Sequence, residues 1–262
     1  MVQKLKVGTL ISGGGTNLQA IIDACDQGRI DAQIVFTGSD VGGVKGLDRA
    51  KKAGINTFVV DYARIIANCR KVRDIDSLLP KDFAPEDILG KQRLVDVKKN
   101  YEKALFFIKS RVIAERQLLD NIESYDMDLL VLAGFMRVLT PYFIDRINTN
   151  PLEHRIMNIH PALLPAFPGT DGYGDTFRYG CKIGGCTVHF IDYGEDTGPI
   201  IGQKAFEIAD EDTLEDVKEK GLQKEWELYP ACIQKFAQSR KVNAIRNQAE
   251  VRKASAIFKA SM

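Results

Sequence analysis

Asn158 and His160 stand two residues apart in the apolar segment 155–160, which Pro161 stops. On a strand that spacing sends both side chains to one face while Met157 and Ile159 take the other. An amide N–H₂ can stabilise a developing oxyanion without changing its charge, and an adjacent imidazole can give or take a proton near neutrality. The pair suits acyl transfer, although on its own it reads more plainly as a polar cap on the strand end. Asp196 shifts that balance. It lies in Asp192-Tyr193-Gly194-Glu195-Asp196-Thr197-Gly198-Pro199, a loop between two expected strands, from which a carboxylate can orient His160 and raise its pKa.

A second cluster lies near the start of the chain. Ser12-Gly13-Gly14-Gly15-Thr16-Asn17 joins an expected strand to an expected helix, where unpaired N–H groups and the helix dipole favour an anion. A dinucleotide fingerprint would want a small residue where Leu18 stands, and a nucleoside-triphosphate loop would want a Lys-Ser/Thr pair. The loop therefore suits a monophosphate rather than NAD or ATP, or else is a glycine turn without a ligand. Metal is the rival chemistry, because Cys181, Cys186 and His189 lie close in sequence. Cys186 and His189 are three apart on an expected strand and point to opposite faces, and no C-x₂-C pair exists, so no metal is expected. Cys25 and Cys232 read as core residues and His154 as a surface residue.

The elements that must position these groups follow from periodicity. Residues 4–12, 32–37, 57–60, 128–133, 155–160, 185–192 and 200–208 read as strands, and residues 44–53 and 140–147 as helices. Leu18, Ile21, Ile22 and Cys25 recur at helical spacing. Alternating strands and helices predict an α/β fold, an open, mostly parallel sheet of about seven strands with helices on both faces. Residues 62–109 interrupt that rhythm as a charged helical insertion, with a helix start at Pro85 and helical spacing continuing through Ile122. Thr213 and Asp216 form a capping box for a last long helix through Phe236, with Pro230 ending or kinking it. Residues 1–240 are expected to form the main domain and 241–262 a basic, helical tail.

Composition sets the remaining bounds. The 262 residues are 27% charged with a formal net charge of +1, so no global field draws the chain to nucleic acid or to an anionic membrane. No apolar run reaches the length of a membrane helix, and the five scattered cysteines fit a reducing cytosol, so a cytoplasmic location is expected.

Four motifs occur in order: 11-ISGGGTNLQ-19, 132-LAGFMRVL-139, 158-NIHPALLP-165 and 196-DTGP-199. Together they make the chain resemble the phosphoribosylglycinamide formyltransferase family, the folate-dependent formyltransferases of purine synthesis. The resemblance covers about residues 5–60 and 110–240 and offers no counterpart for the insertion. It implies Asn158, His160 and Asp196 as catalytic residues and 10-formyltetrahydrofolate as formyl-donating cosubstrate, without a metal. Gly15, Thr16, Asn17 and Glu225 would hold the phosphoribosyl amine. Met136, Arg137, Val138, Leu139, Asn158, Asp192, Tyr193, Gly194, Glu195 and Asp196 would form the donor pocket, with Arg111 and Arg137 at its benzoylglutamate end.

Ala162, Leu222 and Trp226 depart from the family pattern of a serine, a polar residue and a histidine, which leaves the amine less fixed than formyl transfer. The rivals are a 10-formyltetrahydrofolate hydrolase, a formyltransferase for another amine, and a catalytically silent folate or phosphoribose binder. Small-molecule partners are expected, and the insertion is open to three readings, a cover over the folate entrance, a homodimer contact or a surface decoration, of which the dimer contact is preferred.

Overall fold

The computed structural model describes residues 4–150 and 153–260. Seven strands among them form one open sheet: β1 (Leu5–Ile11), β2 (Ala32–Ser39), β3 (Thr57–Val59), β4 (Leu129–Leu132), β5 (Ile156–His160), β6 (Ile183–Phe190) and β7 (Ile200–Glu207). Their order is β3-β2-β1-β4-β5-β6-β7. Pairing is parallel from β3 to β5 and antiparallel at β5-β6 and β6-β7. The sheet is thus mostly parallel and open, as the alternation of elements predicts.

Eight α-helices accompany it among the described residues: α1 (Thr16–Asp26), α2 (Lys45–Lys52), α3 (Tyr62–Cys69), α4 (Pro85–Lys91), α5 (Tyr101–Ile122), α6 (Pro141–Ile147), α7 (Gly172–Arg178) and α8 (Leu214–Ala260). Strand pleating splits the core into two layers. Along β4, Leu129 and Val131 join the layer of Leu18 and Ile21 from α1 and Tyr229 and Ile233 from α8. Leu130 and Leu132 join the opposite layer, with Ile108, Val112 and Leu118 from α5 and Phe143 from α6. A strand apolar on both faces is what a central parallel strand requires.

Caps mark several helix starts. Asp61 accepts the Arg64 N–H at 2.9 Å before α3, and Thr213 and Asp216 make the reciprocal box that opens α8.

Three expectations are corrected. The helical spacing from Pro85 to Ile122 is broken: α4 ends at Lys91, residues 92–100 are irregular, and the Asn100 side chain opens α5 by accepting the Lys103 N–H at 2.9 Å. Pro230 does not end α8, which runs on to Ala260. Leu228, Tyr229, Cys232 and Ile233 are all buried around it, and the Tyr229 hydroxyl donates to the Leu132 and Met157 carbonyls at 3.0 and 2.9 Å. This packing offsets a break that costs about 3 kcal/mol in an isolated helix. His154 is half-buried rather than on the open surface, its ring stacked on Phe190 at 5.4 Å. α7 was not expected from the sequence, because Gly172 and Gly174 dilute its helical signal. The last two residues of the basic tail lie outside the described residues.

Candidate active site

In the sheet order, β1 sits between β2 and β4, so the connections leaving β1 and β4 diverge at their carboxyl ends. Such a switch point leaves a crevice that open α/β sheets use for ligands. A cleft of about 270 Å³ opens there, reached by Leu132 at the end of β4, Asn158 and His160 at the end of β5, and Asn17 at the start of α1.

The glycine loop is shaped by α2. Gly13 O accepts the Gly46 N–H at 3.0 Å, and Gly14 O accepts from Arg49 Nε at 2.9 Å. Gly15 has φ +68, and a Cβ there would meet the Gly46 backbone at 2.6 Å, so glycine is required twice over. With its carbonyls tied back to α2, the loop presents a helix N-terminus whose first N–H groups need an outside acceptor. Ser12 joins this loop to residues 134–139: its N–H donates to Gly134 O at 2.9 Å and its hydroxyl accepts the Met136 N–H at 2.8 Å.

Asn17 leads from the loop to Glu225. Its Nδ2 donates to Glu225 Oε2 at 2.6 Å, while the Tyr173 hydroxyl donates to Oε1 at 2.7 Å. Glu225 is 5% exposed, and burial raises its pKa against the opposing pull of these two donors. Asn17 Oδ1 is buried with no hydrogen-bond partner at the edge of the cleft.

The distant carboxylate does meet the imidazole. Asp196 Oδ2 lies 3.1 Å from His160 Nδ1, and the other ring nitrogen, Nε2, lies 2.7 Å from the Phe167 carbonyl. Both partners are acceptors, so the arrangement favours the doubly protonated ring. Burial works against that charge, but the Asp196 hydrogen bond and charge together with the Phe167 carbonyl outweigh it and raise the His160 pKa. Asp196 is held well below the usual carboxylate range. Its burial is outweighed by His160, His189 and the Gly169 N–H, which donates at 2.9 Å. Asp196 itself adopts φ +54.

The remaining sequence-derived candidates divide by place. Met136, Arg137, Val138, Leu139, Gly194, Glu195, Asp196, Asn17 and Glu225 line the cleft; Gly15, Thr16, Arg111, Asp192 and Tyr193 do not. Asp192 Oδ1 instead shapes its own loop, accepting the Gly194 N–H at 3.0 Å and the Thr197 hydroxyl at 2.6 Å. Arg137 pairs with buried Asp40 at 2.5 Å. Arg111 lies over the Phe107 ring of its own helix at 3.4 Å, and desolvation pushes its pKa down to about 10.

Sequence reasoning missed three contributors. Fully buried His189 reaches Asn158 Nδ2 at 3.3 Å and Asp196 Oδ1 at 3.5 Å. Tyr173 sits on the unforeseen α7. Leu94, from the insertion, lines the cleft. Register could have flagged His189, since it pairs with Asn158 across β5 and β6.

An amide donor, a cationic imidazole and a fixed carboxylate beside an apolar cleft can bind a tetrahedral oxyanion and move a proton. Among the described residues no group of three or more His, Cys, Asp or Glu side chains could hold a metal ion, and no helix is long and apolar enough to cross a membrane.

The chain as a whole is similar to proteins already known. A family model described as formyl transferase matches residues 5–233. Phosphoribosylglycinamide formyltransferase of Bacillus subtilis (strain 168) is 31% identical over 231 residues, covering 88% of this chain and 94% of that protein. The trifunctional purine biosynthetic protein adenosine-3 of Gallus gallus is 32% identical over 234 residues; the match covers 89% of this chain but only 18% of that much longer protein. The crystal structure of glycinamide ribonucleotide transformylase 1 from Symbiobacterium toebii superposes with a TM-score of 0.69 at 33% identity, covering 92% of this chain and 91% of that one.

Proposed function

This chain belongs to the formyl transferase family, and from that premise we propose that it transfers a formyl group to the amine of phosphoribosylglycinamide in purine biosynthesis. The observation that carries the reading is the meeting of Asn158, His160 and Asp196 in one cleft with Asn17 and Glu225. The donor is 10-formyltetrahydrofolate. The cleft suits its pterin ring, because Leu132, Val138, Leu139 and Ile191 supply apolar walls and residues 134–137 and 194–196 lie beside them. The chain works in the cytoplasm on small molecules.

As the substrate amine attacks the formyl carbon, Asn158 Nδ2 and protonated His160 donate to the oxygen that becomes negative. Asp196 keeps His160 charged. The amine then loses a proton, which His160 and water pass to the departing nitrogen of the donor as the carbon–nitrogen bond to it breaks. His160 Nε2 is paired with the Phe167 carbonyl, so it reaches an oxyanion by exchanging that carbonyl for it. Phe167 sits at φ +53, a left-handed conformation that a bulky side chain disfavours. Glu225 and Asn17 take the sugar and amine side, and the glycine loop takes the phosphate.

The test is to mix purified protein with glycinamide ribonucleotide and 10-formyltetrahydrofolate and to follow loss of the formyl group. Amine-dependent turnover is the expected result. Amine-independent loss would make the protein a hydrolase, and binding without turnover would make it a silent binder; either result overturns the proposal.

A further inference from the structure

We propose that residues 92–95 of the insertion form a wall of the donor pocket, with Leu94 a specificity-determining contact and Gln92 the residue that positions it. The inference rests on reading the cleft as the donor site. Leu94 lines the same cleft as Val138, Leu139 and Ile191, although it comes from the one long segment for which the family resemblance offers no counterpart.

The turn that carries Leu94 is built rather than loose. Gln92 is 7% exposed and spends both ends of its amide on this turn. Its Oε1 accepts the Leu94 N–H at 2.8 Å and the Val95 N–H at 2.9 Å, and its Nε2 donates to Val95 O at 3.0 Å. A buried glutamine used in this way replaces the regular backbone pairing that an irregular segment lacks.

The turn is also tied to the loop that delivers Asp196. The Arg93 N–H donates to Tyr193 O at 2.9 Å. Asp145 of α6 holds the two segments together, accepting from Lys91 Nζ at 3.0 Å through Oδ2 and from the Tyr193 hydroxyl at 2.5 Å through Oδ1. A surface decoration needs none of these ties, and a dimer contact does not put a leucine in the cleft. An apolar side chain at that wall selects a flat, weakly polar ring system and discriminates against a charged or shorter donor.

The experiment measures binding of 5-formyltetrahydrofolate, a non-reacting folate probe, by calorimetry, together with KM for the donor and for the amine. Leu94→Ala should weaken the probe and raise the donor KM about tenfold, the effect of removing a partly buried branched side chain, with the amine KM unchanged. Leu94→Met should stay within about twofold of wild type. Gln92→Ala should reproduce the Leu94→Ala pattern, whereas Leu78→Ala, at an exposed position elsewhere in the insertion, should change neither constant. Wild-type donor binding left intact in Leu94→Ala, or equal losses for both substrates, would overturn the assignment while leaving the proposed function standing. A wild-type protein that neither binds the probe nor turns over would overturn both.

Discussion

His160 Nδ1 lies 3.1 Å from Asp196 Oδ2, and this contact decides the charge of the imidazole in the cleft. The ring is 2% exposed, so without the carboxylate its desolvation would favour the neutral form. With the carboxylate the His160 pKa is raised, and the cation persists to a higher pH than an ordinary histidine would allow. Transfer that needs the imidazolium should therefore fall along an alkaline limb lying above the ordinary histidine range. Asp196→Asn should move that limb to lower pH, because the ring loses its counter-charge. Asparagine tolerates the φ of +54 at this position, so the loop itself is kept. The check is kcat/KM against pH for both proteins, and coincident alkaline limbs would refute the role given to Asp196.

Asn158 and His160 should each be worth two to three powers of ten in rate. Removing one oxyanion donor costs about 3–4 kcal/mol of transition-state stabilisation, or roughly 10²–10³ in kcat. Asn158→Ala leaves the buried His189 without its partner at 3.3 Å, so a thermal melt must accompany the kinetics. A folded Asn158→Ala or His160→Ala protein with near wild-type turnover would remove the substituted residue from the mechanism.

How far these groups were legible in the sequence depended on whether the signal was local. The glycine loop, the two-residue spacing of Asn158 and His160, and the apolar strands are short-range patterns, and the fold class followed from them. The long-range meetings were not legible in that way. Spacing on the strand already separates His189 from Cys186, which packs into the core with Val188, but it does not show what His189 meets on the other face. Tyr173 lies in a glycine-diluted helix, and Leu94 in a polar turn with no periodicity. Both acquire meaning only from the partners that folding brings to them.

Tyr173 should matter for the amine substrate and not for the donor. Its hydroxyl donates to Glu225 Oε1 at 2.7 Å, and a Cβ at Gly221 would strike its ring, so α8 is shaped to admit it. Tyr173→Phe leaves that carboxylate oxygen buried without this donor and should raise the Glu225 pKa further. The expected result is an amine KM higher by about tenfold with the donor KM unchanged, measured by varying each substrate in turn. A change confined to the donor would show that Glu225 does not face the amine.

Glu115 gives a prediction about stability. It is fully buried at the foot of the 134–139 loop, where Oε1 accepts the Thr140 N–H at 2.7 Å and Oε2 the Thr140 hydroxyl at 2.5 Å. Desolvation dominates over these bonds and raises its pKa from 4.5 to about 7. The folded protein therefore holds this proton more tightly than the unfolded chain does. The stability it contributes is complete below about pH 4.5 and is lost as pH rises through about 7, an effect of roughly 3 kcal/mol at most. Glu115→Gln keeps an acceptor for the Thr140 N–H and offers its amide to the hydroxyl, which can accept as well as donate. Urea melts from pH 5 to pH 8 should show wild-type stability declining with pH and the variant declining less. Parallel curves would mean that the carboxyl is ionised throughout and that Thr140 and its surroundings solvate it fully.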